Sequence, residues 1–482
     1  MKKIDRRNFM ASTALLGAAL PFSKSVHGML GVGSRQPNIV FILADDLGYA
    51  DLSCYGRPDI HTPHIDCLAA EGVQFMQAYA NSSVCSATRT ALMTGRYQYH
   101  LPVGLEEPLG NSPVGLPPSH PTLPSLLKQV GYQTALVGKW HLGSLPAFDP
   151  LQSGYDYFYG FRSGGVDYFT HKNYGNFADF WENGTPIQQG GYLTDLLGDK
   201  AVSLVNGYAQ TNAPFLLSLH FSAPHWPWEG PNDQLEAQRL NAPGLIQDFD
   251  GGSQDTYRQM VQRLDYQVGR VLDALNSNGL RNNTIVIFTS DNGGERFADT
   301  WPFTGKKLEL LEGGLRIPNV VRWPACIPGG CKNDQVNITM DWVPTLLAAA
   351  GASPDPAYPL EGMSLLPALT QGAAPVPRQL FWRYKGNAQR AYRSGDYKIL
   401  KILDQTFLFN VVADPLERAN LKERQRPVYD NMVSQWDAWN ATMLPESPGS
   451  FTSTFSAANL ADHFGAPQVV ITDVDNSGVW PD

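Results

Sequence analysis

N-I-V-F-I-L-A-D-D, residues 38–46, is the most informative stretch of the chain, because an apolar run leads directly into two acidic residues. Similar short runs rich in Val, Ile, Leu and Phe recur at 134–138, 215–221 and 284–289. Runs of this kind are typical of strands that are buried on both faces. Helical patterns separate them, so the sequence predicts an α/β fold with a mainly parallel central sheet flanked by helices.

The helical patterns are clearest at 255–279, where apolar residues recur at steps of three and four. Such spacing places them on one face of a helix, which then packs on the sheet. We expect further helices near 64–73, 122–131, 192–207 and 341–350.

The C-terminal quarter of the chain has a different pattern. A stretch rich in Pro, Ala and Gly at 352–378 indicates a linker or an irregular connection. Two strand patterns and one helical pattern follow it, at 397–403, 406–410 and 427–440. We therefore predict a main domain over 36–375, and a C-terminal subdomain and tail over 376–482, an α+β unit with a short antiparallel sheet and one helix.

The net charge and the N-terminal segment indicate the partners and the cellular location of the protein. The formal net charge of −9 argues against nucleic acid as a partner. Residues 1–28 combine Arg6-Arg7 and Phe9 with a short apolar run, the pattern of a twin-arginine export signal. We expect export machinery as a partner, a periplasmic or secreted bacterial protein, and no stable membrane insertion.

The chain contains five cysteines, an odd number. In an oxidising compartment Cys326 could pair with Cys331, and Cys54 with Cys67. These pairings would leave Cys85 unpaired, although spacing alone does not establish disulfide geometry.

Acidic and amide side chains follow two of the predicted strands. Asp45 and Asp46 come after the run at 38–43, and Asp291 and Asn292 after the run at 284–289. Either pair alone is more often a loop start. Because ligands bind at the carboxyl ends of parallel strands, the two pairs together predict an oxygen-ligand site for Ca²⁺ or Mg²⁺.

Cys85 begins a predicted helix within N-S-S-V-C-S-A-T-R-T-A-L-M-T-G-R at 81–96. Its side chain would lie at the positive end of the helix dipole, with Arg89 on the same face. An anion could bind between them. Taken alone, the cysteine would more often be a buried structural residue.

The motif C-S-A-T-R, followed by T-A-L-M-T-G-R, resembles the signature of the type I sulfatases, which belong to the alkaline phosphatase superfamily. Ala87 stands where proline is commoner in that family. Further family motifs occur in the family's order: G-K-W-H-L-G at 138–143, A-P-H-W-P at 223–227, S-D-N-G-G at 290–294 and G-K-K-L-E-L-L-E-G-G-L-R at 305–316. The resemblance thus extends over most of the chain.

The resemblance implies that a maturation enzyme oxidises Cys85 to formylglycine, and that Ca²⁺ is bound by Asp45, Asp46, Asp291, Asn292 and the modified Cys85. It also implies a set of residues around the sulfate group, namely Arg89, Lys139, His141, His225 and Lys307. The neighbouring Lys306 is an alternative to Lys307, whose spacing to Glu312 matches the family pattern.

The expected activity is hydrolysis of sulfate monoesters by a sulfuric ester hydrolase, on a sulfated carbohydrate rather than an aryl sulfate. By resemblance, the hydrated aldehyde provides two hydroxyls, one to attack sulfur and one to expel sulfate. Aromatic residues at 162–184 and 226–228 could line the mouth of the site. Two alternatives remain open: a phosphomonoester or phosphonate hydrolase of the same superfamily, and a non-catalytic protein that binds sulfated glycans.

Overall fold

The structure, a computed structural model, describes residues 35–105, 107–108, 113–240, 251–446, 450 and 480. The predicted export signal at 1–28 lies outside these residues and stays a prediction. The description below concerns the unit that begins at Arg35. Within the described residues, no helix combines the length and the apolar character needed to cross a membrane.

The strands are β1 (Asn38–Ala44), β2 (Val73–Phe75), β3 (Ala78–Tyr79), β4 (Gln133–Lys139), β5 (Tyr157–Phe161), β6 (Trp181–Glu182), β7 (Thr185–Pro186), β8 (Phe215–His220), β9 (Thr284–Ser290), β10 (Asn319–Arg322), β11 (Cys331–Asn333), β12 (Asn337–Ile338), β13 (Gln379–Tyr384), β14 (Gln389–Ser394), β15 (Tyr397–Ile402) and β16 (Gln405–Asn410). The central sheet has the order β11-β2-β10-β9-β1-β8-β4-β5-β6-β7. Its middle, from β9 to β5, is parallel, whereas β10, β6 and β7 pair antiparallel. The prediction of a mainly parallel central sheet is confirmed.

The helices are α1 (Pro63–Ala70), α2 (Cys85–Thr94), α3 (Leu123–Lys128), α4 (Leu193–Tyr208), α5 (Gln234–Leu240), α6 (Gln254–Ser277), α7 (Glu312–Leu315), α8 (Trp342–Ala350), α9 (Leu366–Thr370) and α10 (Arg426–Asn440). The predicted helices correspond to α1, α2, α3, α4, α6, α8 and α10. The predicted linker at 352–378 contains the short helix α9, which begins beside Pro367 and buries Leu366 and Leu369. The sequence did not predict this short helix, because a Pro-rich composition is typical of irregular segments.

Strand β1 shows why an unbroken apolar run was needed. Val40, Ile42 and Ala44 belong to a core cluster that also contains residues of α4 and α6. Ile39 and other alternate residues belong to a second cluster, with residues of α3 and α8. Because helices cover both faces of the sheet, both sets of alternating side chains are buried and a polar alternation is absent.

The C-terminal part forms a separate antiparallel sheet in the order β13-β14-β15-β16, with helix α10. This confirms the predicted α+β character. Its core continues into α2, because Trp382 and Ala87 belong to one hydrophobic cluster. Trp382 Nε1 also donates a hydrogen bond to the Ala80 carbonyl at 2.9 Å. The small sheet therefore supports the segment that leads into Cys85, while the domain boundary at 376 stays a prediction.

The suggested disulfides are not present in the structure, where all five cysteines are free. Cys326 packs partly against a core cluster, whereas Cys331 is exposed at the start of β11. Cys54 packs partly against the other cluster, and Cys67 is exposed. In each suggested pair one thiol lies against the core and the other lies at the surface, a difference that the sequence spacing did not reveal.

Candidate active site

The parallel register brings the polar ends of several strands to one edge of the sheet. Ala44 pairs with Ser290, and Leu43 pairs with His220. The acidic segments after β1 and β9 therefore leave the sheet side by side. Asn292 Nδ2 donates to Asp46 Oδ1 at 2.7 Å, which joins the two segments directly.

Cys85 is the first residue of α2 and follows Val84, which is extended at φ −139° and ψ 150°. The thiol is buried, and Cys85 Sγ lies 3.3 Å from Asp45 Oδ1 and 3.9 Å from Asp46 Oδ1. Burial raises the pKa of this thiol well above its usual value, and the Asp291 and Asp45 carboxylates add to the effect. The unmodified side chain is thus a neutral thiol and a poor nucleophile.

Arg89 and Lys139 neutralise the carboxylates nearest to Cys85. The guanidinium of Arg89 binds Asp291 Oδ2 through Nε at 3.0 Å and through a terminal nitrogen at 2.9 Å. Lys139, the last residue of β4, places Nζ 2.5 Å from Asp45 Oδ2. Burial raises the pKa of Asp291 to about 6, and the nearby Asp45 carboxylate contributes to this shift.

Lys307 forms the third buried pair of the site. Its Nζ lies 2.7 Å from Asp46 Oδ2, and both side chains are buried. Burial opposes ionisation of Asp46, but Lys307 and then His225 hold the pKa of that carboxyl well below its usual range. Lys306, the alternative raised by the sequence, lines a neighbouring pocket instead.

Two histidines complete the group. His225 Nε2 lies 3.6 Å from Asp46 Oδ2, and its Nδ1 lies 2.5 Å from the Trp226 carbonyl oxygen. His141 is buried, and neither ring nitrogen has a hydrogen-bond partner within the described part of the chain. Burial lowers the pKa of both imidazoles well below the usual value, and Lys307 adds to this for His225 as Lys139 does for His141. Both rings are therefore neutral near pH 7.

The backbone is strained where these side chains are presented. Asp46 has φ +62°, His141 has φ +55° and Leu308, next to Lys307, has φ +73°. Non-glycine residues rarely adopt this left-handed region, and those that do are concentrated at functional sites. The left-handed backbone thus accompanies the turns from which Asp46, His141 and Lys307 reach the site.

The donor set suits a hard divalent cation. Three buried carboxylates, those of Asp45, Asp46 and Asp291, lie within this group. Asn292 Oδ1 is also buried, and no donor reaches it from the residues that the structure describes. Oxygen atoms of this kind are the ligands that Ca²⁺ and Mg²⁺ prefer. Ligand atoms of Asp45, Asp46, Cys85 and His225 also lie within 4.8 Å of one another. The structure thus brings every site residue predicted from the sequence to one place.

Three contributors to this site were missed in the sequence. Glu295 lies 3.8 Å from Lys307 Nζ, measured from Oε2. Tyr174 places its hydroxyl 3.5 Å from His225 Nδ1 and stacks on Trp226 with ring centroids 4.5 Å apart. His220, at the end of β8, lies behind the site, with Nδ1 3.5 Å from Arg89. Only Tyr174 fell within a segment that the sequence associated with the mouth of the site.

Known proteins are similar to this chain in sequence and in architecture. A family model described as Sulfatase matches residues 37–352. An N-acetylgalactosamine-6-sulfatase of Rattus norvegicus is 33% identical over 407 residues, covering 78% of this chain and 73% of the relative. Arylsulfatase J of Mus musculus is 30% identical over 479 residues, covering 86% of this chain and 77% of the relative.

The fold of this chain is also similar to that of a solved structure. The crystal structure of Ps i-CgsB in complex with k-i-k-neocarrahexaose superposes with a TM-score of 0.79 and 31% identity, covering 92% of this chain and 100% of the other. The matching family model, the similar sequences and the similar fold all indicate the same family. The chain therefore belongs to the sulfatase family, the type I sulfuric ester hydrolases of the alkaline phosphatase superfamily.

Proposed function

We propose that this sulfatase hydrolyses sulfate esters on a carbohydrate, with Cys85 converted to formylglycine and a Ca²⁺ ion bound beside it. One observation carries the proposal: the Cys85 side chain lies at a helix start, 3.3 Å from Asp45, inside a group of buried carboxylates and cations. The carbohydrate is supported by relatives named N-acetylgalactosamine-6-sulfatase and by a similar structure that holds a neocarrahexaose.

The Ca²⁺ ion would be held by Asp45, Asp46, Asp291, Asn292 and the modified Cys85. A divalent cation here would neutralise negative charge on the substrate. The hydrated aldehyde would provide two hydroxyls on one carbon in place of a thiol. Asn292 Oδ1 supports this ligand set, because it is a buried acceptor with no donor among the described residues.

The remaining residues bind the sulfate group and move protons. Lys139, His141 and Lys307 would donate hydrogen bonds to sulfate oxygens, and the Arg89 guanidinium would orient Asp291 as a proton acceptor. Lys307 Nζ, or His225 Nε2 once that ring has taken up a second proton, would supply the proton that the departing alcohol oxygen requires. His141 is neutral and makes no hydrogen bond to another described residue, so it is suited to accept a proton. Each such group typically contributes about 10²–10⁴-fold to the rate.

The single cluster of potential metal ligands favours a sulfatase over a two-metal phosphatase. Across the described part of the chain, one group of Asp, Glu, Cys and His side chains is close enough to hold an ion. Two-metal phosphatases instead place ions about 3.5–4 Å apart and need a second ligand set.

We also propose export of the chain through residues 1–28, and maturation by a formylglycine-generating enzyme.

Sulfate release and peptide mass provide the test. The protein is expressed with a formylglycine-generating enzyme, and sulfate released from a panel of sulfated saccharides is measured by ion chromatography. Mass spectrometry of the Cys85 peptide reports conversion to the aldehyde. We expect Cys85→Ala to abolish release and the matched variant Cys67→Ala, at an exposed cysteine, to retain it. Full activity with an intact Cys85 thiol, or after complete removal of metal, would contradict the proposal.

A further inference from the structure

The segment that carries Lys307 is held in place by the C-terminal part of the chain. Thr304 Oγ1 donates a hydrogen bond to the Leu416 carbonyl at 2.7 Å. The Glu312 backbone N–H donates to Glu417 Oε2 at 2.6 Å. Both acceptors belong to residues that follow strand β16, so contacts with the C-terminal part fix the segment on either side of Lys307.

One side chain, that of Gln389, binds the middle of this segment. Gln389 is the first residue of β14 and is only 1% exposed. Its Oε1 accepts a hydrogen bond from the Leu310 backbone N–H at 2.8 Å, and its Nε2 donates to the Leu308 carbonyl at 2.8 Å. Nε2 also donates to the Gly386 carbonyl at 2.9 Å. Both N–H groups and the oxygen of this buried amide are therefore used.

The backbone of Leu308 requires such contacts. It has φ +73°, in the left-handed region that a leucine rarely adopts. A conformation of this kind persists only where the surrounding structure determines it. The Leu308 N–H donates to the Ser83 carbonyl at 3.0 Å, and the Leu308 carbonyl accepts from Gln389. The turn after Lys307 is thus held between the segment that leads to Cys85 and the C-terminal sheet.

The position of the Lys307 ammonium depends on this turn. The Lys307 backbone N–H donates to the Gly294 carbonyl at 3.0 Å, and Nζ lies 2.7 Å from Asp46 Oδ2. Contacts on both sides of the residue therefore determine where its side chain starts. A change in the backbone at Leu308 would move the ammonium relative to Asp46.

We propose that Gln389 is a positioning residue for the sulfatase reaction, and that its amide holds the turn from which Lys307 reaches the sulfate group. The proposal rests on the proposed function, because that function gives Lys307 its role at the sulfate. Without the amide, the buried Leu310 N–H and Leu308 carbonyl would lose this partner, and buried backbone groups seldom stay unpaired. The segment would rearrange, and a displacement of about 1 Å at a reacting group can lower a rate about 100-fold.

The chain offers a matched control in Gln335, a second buried glutamine that is 2% exposed. Its Oε1 accepts from the Val376 N–H at 2.8 Å. Its Nε2 donates to the Val336 carbonyl at 2.9 Å and to the Val376 carbonyl at 3.1 Å. Gln389→Met and Gln335→Met therefore remove the same kinds of hydrogen bond, but only the first removes them from the segment that carries Lys307.

Sulfate release by the matured variants is measured below their unfolding transitions. We expect kcat/KM to fall about 10- to 100-fold in Gln389→Met and to stay within about two-fold of the wild type in Gln335→Met. An unchanged rate in Gln389→Met, or an equal loss in both variants, would overturn the proposal. If Gln389→Met does not fold, Gln389→Glu provides the same test, because it keeps the shape and replaces the donor to Leu308 by an acceptor.

A double-mutant cycle shows whether Gln389 acts through Lys307. Gln389→Met is combined with Lys307→Ala, and kcat/KM is compared with that of Lys307→Ala alone. We expect the further change to be less than about two-fold, because the ammonium that Gln389 positions is already absent. The full loss in both backgrounds would mean that Gln389 acts on another group, and would overturn the assignment.

Binding of inorganic sulfate separates a failure of this proposal from a failure of the proposed function. Cys85→Ala protein is titrated with sulfate by calorimetry in Ca²⁺. Adding Gln389→Met should raise Kd about ten-fold or more, as expected for a weakened charge-assisted hydrogen bond, whereas adding Gln335→Met should not. Unchanged affinity in Gln389→Met overturns the positioning role while the sulfatase activity stands. The absence of sulfate release from every ester sinks the proposed function, and the titration still decides whether Gln389 positions Lys307.

Discussion

Replacing Lys139 by Met should destabilise the metal-free protein strongly. Lys139 Nζ lies 2.5 Å from Asp45 Oδ2, and both side chains are fully buried. At an effective dielectric constant of about 20, opposite charges at this distance attract by about 7 kcal/mol. Met has a similar volume and no charge to desolvate, which offsets part of the loss. Breaking a buried pair on one side typically costs about 3–5 kcal/mol of unfolding free energy, and we expect that range here.

Guanidinium unfolding measures this loss in chelator and in Ca²⁺. Saturation at about one hundred times Kd stabilises a protein by about 2.7 kcal/mol through linkage. Lys139→Met should gain more than the wild type, because Ca²⁺ no longer competes with the ammonium for Asp45. The matched control is Lys200→Met, which removes a partly exposed pair with Glu182 at 3.1 Å. Such surface pairs contribute about 0–1 kcal/mol.

Two results would refute this reasoning. A loss below about 1 kcal/mol in chelator would place the Asp45 charge in a far more polar environment than its burial indicates. An equal loss with and without Ca²⁺ would mean that the cation does not share carboxylates with Lys139.

Three further predictions concern the surroundings of the site. Gly165→Ala should lower kcat/KM about 100-fold in a sulfate-release assay, because an added Cβ would lie 1.8 Å from the Tyr174 hydroxyl; an unchanged rate would show that the contact does not position the site. Burial raises the pKa of Glu229 to about 10, so this carboxyl group holds its proton more tightly in the folded chain than in the unfolded chain. The free energy of unfolding of the wild type should therefore fall as pH rises from about 4.5 towards 10. Glu229→Gln should remove that slope and gain about 2.7 kcal/mol relative to the wild type between pH 6 and 8 in urea unfolding; parallel profiles would contradict the shift. Lys398→Met should cost about 3–5 kcal/mol, because it leaves Glu312, 3.0 Å from Lys398 Nζ, without one of its buried partners; a loss within the surface range in the same assay would disprove it.

The fold could be predicted where local patterns and burial coincide. Helix α6 was expected over 255–279 and spans Gln254–Ser277, because its apolar residues follow the helical period for many turns. Short elements were not predicted, because they contain too few residues to show a pattern. Strands β6 and β7 contain two residues each, and α9 contains five, so no periodic pattern can form in them. The antiparallel strand β10 was also missed, because its four residues are too few to show a strand pattern.

The sequence predicted those residues of the site that stand in recognisable motifs. Asp45, Cys85 and Lys139 stand in recognisable stretches, and the parallel register brings them together. Glu295 gives no such signal, since an acidic residue after two glycines reads as part of a solvated loop. Its burial depends on the segment between β9 and α7 folding back onto the sheet. The same holds for the Lys398 pair, which joins residues 86 positions apart.

The balance of charge at the site gives the proposed cation a role in binding an anion. Asp45, Asp46 and Asp291 are paired with Lys139, Lys307 and Arg89, so these groups are neutral together. An amine that neutralises a buried carboxylate cannot at the same time give its full charge to a sulfate oxygen. A divalent cation on the carboxylates would release that charge and make the set positive by two units.

We infer that metal binding increases the affinity for sulfate through Lys139 and Lys307, beyond any direct contact with the ion. Isothermal titration of Cys85→Ala with inorganic sulfate, with and without Ca²⁺, measures this coupling, and in Lys139→Met the coupling should shrink. Equal sulfate affinity in chelator and in Ca²⁺ would show that the lysines are already available without the metal.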